Sequence, residues 1–277
     1  MTADAALAAL RQGAPDAALG LLAADDAQDA AHHAALGMVL LQLRRPAEAL
    51  IALRGAVAMG DAHPSTRLNL AIAEEAAGDA SEALALMRSL ATGHPGWDEP
   101  PLRLAETLRR AGHHSAAEAA YEQALDRNPQ RPEALLGLAA LLMLRHAAPR
   151  AQMLLLRCCA TAPGRGDAWD ALGLSLMMTG DVPAAESAFA EAQRCLPQDS
   201  GIAARRAEAA AASGTGEAEL ARIDLALAES SDNVALLTAR GILLGKLGRR
   251  DEAADALEAA ATLVPDDPTP AIALAHA

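Results

Sequence analysis

WDALGLSLMMTGDVPAAESAFAEAQRCLP, residues 169–197, decides the fold of this chain. The first half reads as an amphipathic helix that closes at Gly180, and the second half as another that stops ahead of Pro197. Glycine releases a helix because it accepts the left-handed backbone of a C-terminal cap. Proline ends one by pushing the residue before it out of the helical region. Met177 and Met178 raise a question of direction, since adjacent helical residues point about 100° apart and one buried stripe rarely takes both.

The same pattern recurs in steps of 34 residues. The position of Gly173 holds Gly37, Ala71, Ala105, Ala139, Ala207 and Gly241 in the sister segments. Ala185 aligns with Ala49, Ala83, Ala117, Ala151, Glu219 and Ala253. Phe189 aligns with Leu53, Met87, Tyr121, Leu155, Ile223 and Leu257, every one large and apolar. Pro95, Pro129, Pro163 and Pro265 repeat Pro197, while Gly78, Gly112, Gly214 and Gly248 repeat Gly180. Alanine is common here, so the large-apolar and proline columns carry the inference. Small residues let two helices cross closely, and the large residue one turn later fills the gap beside the crossing.

Composition agrees. The chain is 52% hydrophobic but only 1% aromatic, and alanine and leucine dominate. Helix formers are abundant and strand formers scarce, so the fold expected is all-α. A formal net charge of −13 opposes non-specific nucleic-acid binding. The start, MTADAALAALRQG, has no basic n-region, and the longest apolar run, Ala134 to Leu144, is too short to span a bilayer. Three cysteines, two of them adjacent, make no disulfide framework, so a cytoplasmic location is expected.

Trp169, Leu172, Gly173, Gly180, Ala185, Phe189 and Pro197 resemble the tetratricopeptide repeat, a helix-turn-helix unit. The resemblance covers essentially the whole chain. It implies a right-handed α-solenoid, a superhelix of about eight such repeats. Full repeats are expected at 30–63, 64–97, 98–131, 132–165, 166–199, 200–233 and 234–267. Residues 1–29 form a shorter leading repeat, and 268–277 begin a further one that stops within its first helix, as if the natural polypeptide continued. Repeat 200–233 is degenerate: Arg206 replaces a leucine, Glu219 an alanine and Ser231 a proline, and SGTG follows at 213–216, so this pair is expected to be looser.

In the family the first helix of each pair lines a concave groove for a partner peptide, through the second, fifth, ninth, twelfth and thirteenth residues. Carried over, these give Leu136, Ala140, Met143 and Leu144 in one repeat and Asp170, Leu174, Met177 and Met178 in the next. Leu68 and Ile72 extend the apolar strip, as do Met38 and Leu41. Repeat 98–131 is charged there, with Glu99, Leu102, Glu106, Arg109 and Arg110, and Arg103 beside them. The lysines and asparagines with which the family clamps a terminal carboxylate are absent except for Asn69, so no such clamp is expected. Flexible methionine suits an adaptable groove.

No catalytic constellation is visible. His32 with His33 and His113 with His114 are neighbours that diverge on a helix. GRGDAW and GTGEAE lack the third glycine and the lysine of a phosphate loop, and Ser175 lacks a nucleophile elbow. No cofactor, metal or nucleic acid is expected. The expected role is a non-catalytic scaffold that binds a protein or peptide in its groove, with self-association through the solenoid ends as a further route. The alternative implied by the resemblance is the substrate-recruiting part of a larger glycosyltransferase, sulfotransferase or hydroxylase.

Overall fold

The computed structural model describes residues 2–25 and 28–275, and among them every regular element is a helix. The chain divides into two compact units, Met1–Pro129 and Gln130–Ala277. The first holds α1 (Thr2–Arg11), α2 (Pro15–Ala23), α3 (Ala30–Gln42), α4 (Pro46–Ala58), α5 (Pro64–Ala77), α6 (Ala80–Gly93), α7 (Glu99–Arg110) and α8 (His114–Arg127). The second holds α9 (Pro132–Leu144), α10 (Ala148–Thr161), α11 (Gly166–Thr179), α12 (Val182–Cys195), α13 (Ser200–Ser213), α14 (Gly216–Glu229), α15 (Val234–Lys246), α16 (Arg250–Leu263) and α17 (Pro268–Leu274). Within each unit consecutive helices pack as antiparallel pairs and each pair stacks on the next, the arrangement of an α-solenoid.

The columns read from the sequence are the interior of these pairs. The alanines at 49, 83, 117, 151, 185 and 253 are fully buried, and so are Leu53, Leu155, Ile223 and Leu257. Gly173 lies against the ring of Phe189, where an added Cβ would stand 2.5 Å from Cε1. Gly37 against Leu53 and Gly241 against Leu257 repeat the arrangement. The small residue and the large one thus occupy a single shared volume, which is why they keep phase.

The turn column has an equally direct cause. Gly78, Gly112, Gly180, Gly214 and Gly248 all have positive φ, between 77° and 104°. The two sisters that are not glycine, Arg44 and His146, are the only non-glycine residues with positive φ among the described residues, each at 57°. A left-handed conformation costs an L-residue about 1–2 kcal/mol, while glycine adds about 0.5–1 kcal/mol of unfolded-state entropy. His146→Gly should therefore raise the unfolding free energy by about 0.5–1 kcal/mol, seen as a higher urea midpoint at unchanged m. A fall would mean that the His146 side chain holds the turn.

The degenerate repeat turns out to be cross-linked by its own departures. Arg206 donates through Nη2 to Glu219 Oε2 at 2.9 Å and through Nη1 to Gln193 Oε1 at 2.9 Å. Glu219 also accepts from Arg222, and Asp224 on α14 accepts from Arg240 on α15 at 2.7 Å. An ion pair has replaced the leucine and alanine that meet between sister helices. The SGTG turn is tied as well, since Ser213 Oγ donates to Glu186 Oε2 at 2.7 Å and Thr215 Oγ1 to the same oxygen at 2.9 Å. What has changed is the packing: α13 lies more extensively against α15 than against its own partner α14.

Candidate functional site

The first helices of successive pairs lie side by side and make one face of each unit. In the second unit the seam between α11 and α13 is bridged by Asp170, which accepts from Arg205 Nε at 2.7 Å and Nη2 at 2.8 Å. Burial pushes the Asp170 carboxyl upward, and the guanidinium opposes that shift. In the first unit Glu75 on α5 meets Arg110 on α7 at 3.0 Å across the corresponding seam.

These seams explain two corrections to the residues expected in the groove. Leu68 and Leu102 are buried, at 4% and 1% exposure, and belong to the interior. Both are fifth residues of their repeats, as Asp170 is, and in these three repeats that position points along a seam rather than into the open. Of the other apolar candidates in the first unit, Ile72, Met38 and Leu41 are half-buried, and Leu41 packs against the interior cluster around Leu40 and Leu53. Among the charged candidates, Arg103 is held by Glu99 at 2.8 Å and Glu106 at 3.1 Å. Arg110 is held by Glu75, and Arg109 reaches the hydroxyl of buried Tyr121. Pairing of this kind fixes the arginines within the fold.

The second unit keeps an apolar strip. Leu144 is 68% exposed on α9, with Ala140 exposed and Leu136 and Met143 half-buried beside it. On α11, Leu174 and Met178 are exposed at 38% and 46%. The two methionines separate as helix geometry demands. Met177 packs against the Phe189 and Ala209 cluster, whereas Met178 stands in solvent. Met178→Asp should therefore leave thermal unfolding within about 0.5 kcal/mol of wild type, whereas Met177→Asp should cost about 1–3 kcal/mol. Equal losses from the two, read by urea denaturation, would contradict this division.

A concavity lies further along the same face, among residues not expected in the groove. A cleft of about 570 Å³ opens between α13, α15 and α17. Gly201, Ala204 and Glu208 face it from α13, Ile242, Gly245 and Lys246 from α15, and Thr269 and Ile272 from α17. Counted from the start of their repeats, these are again second, fifth, ninth, twelfth and thirteenth residues. The signal was therefore present in the sequence. It lay in the repeat that looked degenerate, in the full repeat 234–267 and in the one that begins at Pro268.

The described residues contain no group of three His, Cys, Asp or Glu side chains placed to hold a metal ion. Cys158 and Cys159 are buried on α10, and burial pushes the Cys159 thiol up to about 12, which makes it a poor nucleophile. No described helix is long and apolar enough to cross a membrane.

Two sequence profiles described as tetratricopeptide repeat match residues 34–97 and 102–141. No curated protein sequence matches the chain. Among solved structures, a tetratricopeptide repeat protein from Parabacteroides merdae is similar at 19% identity with a TM-score of 0.58, over 90% of this chain and 98% of that one. PilF of Pseudomonas aeruginosa is similar at 18% identity and a TM-score of 0.55, over 77% and 97%. YrrB, described as a TPR protein with an unusual peptide-binding site, is similar at 16% identity and a TM-score of 0.50, over 68% and 96%. At these identities the likeness is one of fold.

Proposed function

Because the chain belongs to the tetratricopeptide repeat family, whose fold is a protein-interaction scaffold, we propose that it is a non-catalytic docking module. It takes a helix or peptide of a partner protein on the first-helix face of residues 130–277. One observation carries the reading: residues of three first helices, with Arg250 at the start of α16, converge on a single cleft of about 570 Å³. The strip of Leu144, Leu174 and Met178 supplies apolar surface on the same face of the unit. Burying a Leu or Met side chain fully is worth about 1.5–3 kcal/mol, against roughly 0–1 kcal/mol for an exposed ion pair. The apolar contacts are the source of affinity, and charged ones supply orientation.

Site-specific photo-crosslinking tests this reading. A photoreactive residue at Ile242 should crosslink a discrete protein in the native lysate, and one at Ser187, exposed on the outer helix α12, should not. Crosslinking at Ser187 alone, or at neither position, would move the docking surface elsewhere.

A further inference from the structure

The cleft brings several ionisable side chains together. Its ionisable lining is Arg205, Glu208, Lys246 and Arg250. Arg205 is already engaged by Asp170. Lys246 and Arg250 have no ion-pair partner among the described residues, and both are exposed. Several other cations are matched, as Arg45 is to Glu48, Arg165 to Asp167, Arg194 to Glu191 and Arg249 to Glu252. Two unmatched cations thus line one cleft in a chain with a net charge of −13, and Lys246 is its only lysine.

The walls complete the description. Ile242 and Ile272 are apolar, and Ile272 is 57% exposed. Gly201, Ala204 and Gly245 put almost no side chain on the floor, which lets a partner's backbone come close. Glu208 is the single carboxylate of the lining. With two unmatched cations against one carboxylate, this lining attracts anions in a chain that is acidic as a whole. Such an arrangement selects a partner by charge and speeds its encounter.

We propose that the cleft between α13, α15 and α17 docks an acidic segment of a partner protein, its side-chain carboxylates set against Lys246 and Arg250 and an apolar side chain against Ile242 and Ile272. This rests on the reading of the first-helix face as the docking surface, and it names the chemistry of what docks there. Glu208 limits the affinity, because it repels the same carboxylates.

The test is fluorescence anisotropy of the full chain with a rhodamine-labelled, end-blocked octapeptide of alternating Glu and Leu, beside its Gln–Leu counterpart. The Glu peptide should bind at least about tenfold more tightly than the Gln peptide at low salt, with the difference shrinking as salt is added. K246Q/R250Q should weaken the Glu peptide about tenfold, while E208Q should tighten it about threefold. R194Q, on the outer helix α12, should change nothing. Circular dichroism of each variant confirms that helicity is retained. Equal binding of the two peptides, indifference to K246Q/R250Q, or no binding of the Glu peptide would each overturn the assignment. A crosslinked partner at Ile242 that K246Q/R250Q retains in full would leave the docking surface standing and remove only its charge preference.

Discussion

Glu219→Ala should destabilise the second unit by about 3–5 kcal/mol, although alanine is what the sister repeats carry at that position. The reason is the partner left behind. Glu219 is 7% exposed and Arg206 16%, so the pair lies largely out of water. Burial already pulls the Arg206 pKa below its ordinary value, with the Glu219 charge as the main opposing influence. Removing the carboxylate strands a buried guanidinium whose Nε has no partner even in the intact protein. The rescue is specific. R206L/E219A restores the leucine and alanine of the sister repeats and should recover wild-type stability or exceed it by about 1–4 kcal/mol, as replaced buried ion pairs often do. Urea midpoints of the two singles and the double make the comparison. A neutral E219A would mean that Arg206 swings out to water and the pair adds little.

Phe189→Ala should cost a similar amount, about 3–5 kcal/mol, through a cavity rather than a stranded charge. Phe189 is 1% exposed and packs beside Gly173, which has no side chain to lean into the space left by the ring. Relaxation is therefore poor, which places the loss toward the upper end of that range. The converse substitution overpacks the same volume: Gly173→Ala puts a methyl 2.5 Å from the ring and should cost about 1–3 kcal/mol. Against Phe189→Leu, however, Gly173→Ala should be nearly free, because Ala139 already pairs with Leu155 in the repeat before. A double-mutant cycle reads the coupling directly, and additive losses would contradict a shared volume.

The pairing of helices, the turn glycines and the buried columns were legible because each rests on interactions within one repeat. Gly180 and Phe189 declare themselves by spacing alone, and the structure places them as the spacing requires. Contacts between repeats were less legible. Leu68 and Leu102 read as groove residues because nothing in a single repeat reveals which positions its neighbour covers. The Arg206 and Glu219 substitutions read as two separate losses because their pairing appears only in three dimensions. The cleft follows the same rule, since Ala204, Glu208 and Lys246 occupy groove positions regardless of how the core of their repeat is built.

The docking surface itself is tested most directly by amide hydrogen exchange of the full chain, alone and with the partner crosslinked through Ile242 purified and added in excess. Slower exchange should appear in the last turns of α11 and α15 and along α13 and α17, with α10 and α12 unchanged. Protection confined to those second helices, or none anywhere in residues 130–277, would contradict docking on the first-helix face.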